Sequence, residues 1–176
     1  MILVTVGTNE QPFDRLIRAV EPLELEESLV VQHGSCATAG GRGRWVDFVP
    51  FEELEALMRE ARIVVAHAGV GSVMLARQCG KRPMVVPRRL HLGEAVDDHQ
   101  LPIARRLHAS GAVELVEQLE DLPGMLGATS RTVHPDGGEA ALPDALALAT
   151  DVREYLEGIL NVLPVRSGAQ QVASPQ

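Results

Sequence analysis

The sequence predicts an α/β domain built on a mostly parallel sheet with helices on both faces. Three observations carry this. Short runs rich in Val and Ile alternate with longer amphipathic stretches, the pattern of repeated βαβ units. Strand-like runs such as "RIVVAH" (62–67) are almost unbroken in their apolarity, as strands covered on both faces must be. Glycine and proline fall at the ends of the amphipathic stretches, where helices stop.

Taken in order, the strand-like runs are Ile2–Val6, Leu29–Gln32, Trp45–Val49, Ile63–Ala66, Met84–Val86 and Val113–Leu115. Helical spacing covers Pro12–Pro22, Phe51–Glu60, Ser72–Cys79, Asp98–Ala109 and Glu117–Leu126. Gly80 follows the third helix and Pro83 lies just beyond it, a normal stop. Asp97 or Asp98 is placed to cap the fourth helix, which tolerates Pro102 only in its first turn. Gly111 ends that helix. Residues Thr129–Pro143 read as a loop, Asp144–Leu160 as a last helix, and 164–176 as a flexible tail, which leaves one domain over 1–163.

At 176 residues the chain is long enough to bury a core without disulfides or metals. Aromatics are only 3%, so Val, Leu and Ala must fill it. The formal charge of −8 argues against a nucleic-acid binder, which would show a basic face. Cys36 and Cys79 fit neither a disulfide framework nor a zinc pattern; they read as reduced thiols of a cytoplasmic protein, with Cys79 buried in a structural role. No apolar run approaches the roughly 18 residues of a membrane span, and "MILVTVGT" reads as a first strand and not as a signal peptide.

In an open α/β sheet, ligands bind beyond the carboxyl ends of the strands, so the loops there hold the candidate chemistry. After the fourth strand comes "HAGVGS". Gly69 and Gly71 allow close backbone approach, and the following helix presents unpaired N–H groups with a partial positive charge. His67 and Ser72 can donate to the same anion. Two readings stand for the hexapeptide, a phosphate cradle and a tight strand–helix turn with a capping serine. The loop after the fifth strand, "GEAVDDHQ", gathers Glu94, Asp97, Asp98, His99 and Gln100 within seven residues. It is either a holder of sugar hydroxyls or an acidic helix start suited to the helix dipole. The chain shows no further dense His/Asp cluster, so no metal is expected.

Together, "MILVTVGTNEQPFDRLIRAV", "HAGVGS", "GKRPMVVPRR" and "GEAVDDHQ" closely resemble the glycosyltransferase family 28 C-terminal-domain proteins. That family includes the small donor-binding subunits of two-component polysaccharide and dolichol-linked N-acetylglucosaminyltransferases. The resemblance runs from Met1 to about Val116. It implies a single Rossmann-like domain equivalent to the C-terminal half of a GT-B glycosyltransferase, binding a nucleotide sugar, usually a UDP-sugar, as substrate and using no metal or cofactor. By the same resemblance His67, Gly69, Gly71 and Ser72 would contact the diphosphate. Phe48, Val49, Pro50 and Phe51 would line the base pocket. Asp98, His99 and Gln100 would read the donor sugar, and Gly7 and Thr8 would face the cleft near diphosphate and acceptor.

One departure is that many relatives hold the ribose hydroxyls with a glutamate where this chain has Leu75. Another is that a complete GT-B enzyme has a second, acceptor-binding half. The resemblance implies that a membrane-associated partner supplies it at the cytoplasmic face, and with it any acceptor-activating base; self-association through the exposed cleft is the alternative for the isolated chain. His33, ending the second strand, reads as a structural loop histidine before it reads as a base. Lys81, Arg82, Arg88 and Arg89 are either a solvated surface patch or cations near the site. A nucleotide-sugar-binding module without catalysis is the alternative function. A dinucleotide-dependent enzyme is disfavoured because "GTNEQPF", not G-x-G-x-x-G, follows the first strand.

Overall fold

The computed structural model describes residues 1–38 and 40–131. Six strands, β1 (Ile2–Thr5), β2 (Leu29–Gln32), β3 (Arg44–Val46), β4 (Ile63–His67), β5 (Met84–Val86) and β6 (Glu114–Leu115), lie in the order β3-β2-β1-β4-β5-β6. Every pairing is parallel. The helices are α1 (Asp14–Val20), α2 (Phe51–Glu60), α3 (Val70–Gln78), α4 (Gln100–Ala109) and α5 (Leu122–Arg131).

The alternation of side chains along β1 decides which helix packs where. Ile2, Val4 and Val6 point to one face, covered by Phe13, Leu16, Ile17 and Val20 around α1 and by Leu122 and Leu126 of α5. Leu3, with Val30, Val64 and Ala66, points to the other, covered by Leu57 and Met58 of α2 and Leu75 and Ala76 of α3. Further along that face Val85 meets Val73 of α3 and Ala104 and Leu107 of α4. Strands covered on both sides explain the unbroken apolar runs.

Several boundaries differ from those the sequence predicts. β3 occupies Arg44–Val46 and not Trp45–Val49. β2 stops at Gln32 and the chain turns at Gly34 (φ 58°), so beyond the bond from Gly34 N–H to Asp47 O the third strand has no neighbour left to pair with. α3 starts two residues before Ser72, because the carbonyl of Gly69 already accepts from Val73 N–H. α5 starts at Leu122, later than expected, because Val116 N–H still pairs with Val85 O and Leu119–Asp121 form a 3₁₀ turn. It runs through Thr129–Arg131, which the sequence assigns to a loop. The rest of that loop, the helix Asp144–Leu160 and the tail 164–176 lie outside the described residues. Pro102 does fall in the first turn of α4. The cysteines exchange roles: Cys36 is buried, its sulfur taking a hydrogen bond from Phe13 N–H at 2.9 Å, whereas Cys79 is half-buried.

Gly43 makes the entry to β3 possible. At φ 101° it lies so close to β2 that a Cβ would stand 2.3 Å from Leu29 O. Gly80, also at positive φ (73°), has open space where its Cβ would be. Gly80→Ala is therefore expected to cost only the conformational term, about 1–2 kcal/mol. Gly43→Ala should cost clearly more and unpair β3; urea unfolding of both variants checks the order.

Candidate functional site

After β1 the chain works outward to β3, then returns through α2 to β4 on the other side of β1. At this reversal the loops leaving the carboxyl ends diverge and leave a crevice. A cleft of about 510 Å³ opens there. Gly7, Thr8, Phe48, Val49, Phe51, His67, Gly71 and Ser72, all expected at the site, line it, together with Asn9, Gln32, Leu54 and Leu75. Pro50 is set back as the N-cap of α2, and Gly69 lies against the His67 ring. Asp98, His99 and Gln100 are not in the lining.

The cleft has two unlike ends. One is an apolar wall of Phe48, Val49, Phe51, Leu54 and Leu75, with Phe48 53% and Phe51 63% exposed despite their size. The other is polar: Gly7, Thr8 and Asn9 after β1, His67 at the end of β4, and the first turn of α3. No side chain caps α3, so Ser72 is no cap and the leading N–H groups of Val70, Gly71 and Ser72 stay available to a ligand. Gly71 has open space at its Cβ position, so any side chain there would enter the cleft. None of the lining residues is Asp, Glu, Lys or Arg.

His67 explains two of the glycines. A Cβ on Gly7 would stand 2.3 Å from its Cε1, and one on Gly69 would stand 2.2 Å from its Nε2. The ring fits because both neighbours lack a side chain. Gly69 has ordinary extended backbone (φ −74°, ψ 132°), so its glycine serves the ring and not a turn. Nδ1 is sealed from solvent and makes no hydrogen bond among the described residues. Burial, aided by the positive charge of Arg88, pushes the imidazole pKa down to about 4. His67 is thus neutral near pH 7 and offers one N–H donor but no charge.

Sequence reasoning missed Gln32. Fully buried at the end of β2, its carbonyl accepts from Thr5 Oγ1, and its NH₂ donates to Gly7 O (3.0 Å) and Asp47 O (2.9 Å). It ties the loops after β1 and β3 into one rim. The available signal was a polar residue closing an otherwise buried run, "LVVQ".

The loop after β5 is built around hydrogen bonds of its own. Asp98 accepts from Leu90 N–H at 3.0 Å, and Asp97 accepts from His99 N–H at 3.1 Å. Neither caps α4, whose N-cap is His99. Gln100 accepts from Arg88 N–H at 3.1 Å, and its NH₂ group makes no hydrogen bond among the described residues. The basic residues are not one patch. Lys81 and Arg82 precede β5 and so lie at the amino end of the sheet, opposite the cleft, with Arg82 paired to Glu114 at 2.9 Å. Arg88 is fully buried, and Arg89 donates to Glu117 O at 2.7 Å. His33 is structural: its Nε2 pairs with Asp47 at 3.0 Å and its Nδ1 is sealed from solvent, leaving no nitrogen to take an acceptor proton.

Elsewhere, a groove of about 920 Å³ opens between the α1–β2 loop and α5, but it lies at the amino end of the sheet, and its Glu27 and Arg62 are engaged with each other. Among the described residues no three His, Cys, Asp or Glu side chains gather closely enough to hold a metal ion. No helix there is long and apolar enough to cross a membrane.

Fold and cleft define a doubly wound, Rossmann-like domain with an open cleft at its switch point. The glycosyltransferase family 28 C-terminal domain pattern matches residues 1–133, and the chain belongs to that family. It is 29% identical, over 66% of its length, to the UDP-N-acetylglucosamine--N-acetylmuramyl-(pentapeptide) pyrophosphoryl-undecaprenol N-acetylglucosamine transferase of Synechococcus sp. (strain RCC307), of which it covers 33%. It is 39% identical, over 32% of its length, to the UDP-N-acetylglucosamine transferase subunit ALG13 of Yarrowia lipolytica (strain CLIB 122 / E 150), covering 26% of that protein. The chain thus spans a third or less of these curated relatives. Among solved structures, the Streptomyces nogalater glycosyltransferase SnogD superposes with TM-score 0.51 at 22% identity, over 89% of this chain and 39% of that one. The calicheamicin glycosyltransferase CalG4 superposes with TM-score 0.52 at 19% identity, over 90% and 38%. These likenesses establish the fold, that of one half of a GT-B glycosyltransferase.

The pKa of His67 makes a stability prediction. The unfolded side chain takes a proton near pH 6.5, the folded one only near 4. Between those values the unfolded state binds more protons, so stability falls as pH drops through the window and this contribution is flat below it. The loss is on the order of 3 kcal/mol. Urea unfolding of wild type and His67→Asn across pH 4–7 should show it as a steeper loss of stability in the wild type than in the variant.

Proposed function

We propose that this chain is the donor-binding subunit of an inverting hexosyltransferase. It holds a nucleotide sugar, of which a UDP-sugar is the first choice, and transfers the sugar to a lipid-linked or polysaccharide acceptor presented by a membrane-associated partner at the cytoplasmic face. The observation that carries this is the two-ended cleft at the switch point of a family 28 fold: a wall of exposed apolar groups suited to a flat base, and a helix start with an uncharged donor suited to a diphosphate.

In that pose the N–H groups at the start of α3 and the N–H of His67 point to the diphosphate. Attack of an acceptor hydroxyl on the anomeric carbon forms the new C–O bond from the opposite side. The bond to the diphosphate oxygen breaks, and its electron pair leaves with the nucleoside diphosphate. The helix start stabilises the charge that builds there, with no metal called upon. The acceptor's proton needs a base whose pKa lies near the working pH. Within the cleft, the ionisable side chain is His67, and at about 4 it is a poor base. This reading assigns the base to the partner and keeps Asp98 and His99 for the donor sugar. One fact supports a partner: the similar Yarrowia lipolytica protein is by name a subunit. In this reading Asp98, His99 and Gln100 face the donor sugar, with the NH₂ of Gln100 as the donor to it.

The lack of a base in the cleft also favours a second reading, a nucleotide-sugar-binding module without catalysis. Sugar transfer on adding the partner separates the two.

The test of both is thermal unfolding with UDP, UDP-N-acetylglucosamine, UDP-glucose, GDP, TDP and NAD. A ligand at a hundred times its dissociation constant adds about 2.7 kcal/mol. UDP or another nucleoside diphosphate should raise Tm and NAD should not. Gly71→Ile should fold as the wild type does, since nothing surrounds its Cβ, and lose that shift. A retained shift in Gly71→Ile, or a shift with NAD alone, would overturn the assignment.

A further inference from the structure

Arg88 heads the largest fully buried side chains of the described molecule, at 1% exposure. Its Nη1 donates to Gln11 O (2.7 Å) and Glu94 O (2.8 Å), and its Nη2 to Val6 O (2.9 Å). The guanidinium lies 4.7 Å over the ring of Phe13. It therefore joins the end of β1, the loop that carries Gly7 and Thr8, and the loop that leads to Gln100. Gln100 itself accepts from the Arg88 backbone.

Those carbonyls serve the two Nη groups, whereas Nε is buried without a hydrogen bond among the described residues, and none of them offsets the charge. The neighbouring carboxylate, Glu94, is buried too, and it is taken by Arg15 through Nε (2.9 Å) and Nη2 (3.0 Å) and by Arg89 N–H (3.0 Å). Asp14, also close to Cys36, is paired with Arg18 at 3.7 Å, so counting Arg15, Arg18 and Arg88 against Asp14 and Glu94 leaves the cluster one positive charge in excess. Cys36 nearby does not offset it, because burial pushes its thiol pKa up. An unpaired buried charge is expensive, and an apolar residue would pack Phe13 without that cost. Such a charge is maintained where something completes it.

We propose that Arg88 is a positioning residue of the cleft: it locks the loops after β1 and β5 to each other and leaves an uncompensated positive charge beneath them that selects the anionic part of the ligand without touching it. The ligand's anion rests on the donor-site reading above; the charge does not. It accounts for a cleft lined by no lysine or arginine in a chain of net charge −8. It also explains why His67, enclosed between Gly7 and Gly69, feels Arg88 as the one charge acting on it among the described residues.

The test uses the full chain as wild type, Arg88→Lys, Arg88→Met and Glu94→Gln. Two quantities are read, the affinities of UDP, uridine and inorganic pyrophosphate by calorimetry and the His67 ring titration by NMR without ligand. Arg88→Met should weaken UDP and pyrophosphate on the order of tenfold, leave uridine nearly unchanged, and move the His67 midpoint up. Arg88→Lys, which keeps the charge but not the fork, should stay close to wild type in both the UDP-to-uridine ratio and the midpoint. Glu94→Gln adds one net positive charge and should shift both quantities the other way, so the idea stays testable if Arg88→Met does not fold. A purely structural arginine would lower Tm while leaving the UDP-to-uridine ratio where it is, and that result would overturn the proposal. If the wild type binds no nucleoside diphosphate, the donor-site reading falls. Pyrophosphate then decides Arg88 alone, and no difference between wild type and variants sinks it.

Discussion

At the carboxyl end of a parallel sheet each strand passes its last carbonyl groups to a loop, and buried carbonyls must find donors. Two buried side chains meet much of that demand here. Gln32 serves Gly7 O and Asp47 O, and Arg88 serves Val6 O, Gln11 O and Glu94 O. Neither is near the other in sequence, but together they join the loops after β1, β3 and β5. The cleft is the space these fixed loops leave between them. A short apolar residue in either place would strand several carbonyls, each worth about 1–3 kcal/mol when left unmade.

The histidine is held differently, by what its neighbours lack. No hydrogen bond orients Nδ1; the ring is set by the two glycines whose missing side chains make its slot. A ring in such a slot cannot be charged cheaply, so its conformation and its neutrality have one cause. The same residue cannot then act as both an enclosed donor and a base. Gly71 differs from Gly7 and Gly69, since it lines the cleft and has open space, not protein, where its Cβ would be.

Much of this was legible in the sequence. The fold followed from alternation, and the cleft wall from the family resemblance, which put "FVPF" at a pocket. "HAGVGS" was recognised as the strand–helix turn of interest, although the reason for Gly69 was not, because a clash with a ring two residues earlier depends on a rotamer. Gln32 was missed because its partners are 15 to 27 positions away, a separation no local pattern encodes. The basic residues were misread as a group for a related reason. "GKRP" and "PRR" flank the same short strand, and a strand of three residues suffices to put them at opposite ends of the sheet.

Charge placement is the last step. The chain is acidic, its cleft lining is uncharged, and its positive excess lies buried beneath two loops. A lysine in the lining would bind phosphate more directly, but it would also pair with any carboxylate a partner brought to the cleft. A charge held below the surface acts on an anion through a low-dielectric layer, where it is weakly screened by salt, and offers no donor for a partner's side chain to take. In the two-chain assembly proposed above, that distinction has a consequence. The donor site can be preformed on one chain, while the opposing face stays free to accept whatever base and acceptor groups the other chain presents.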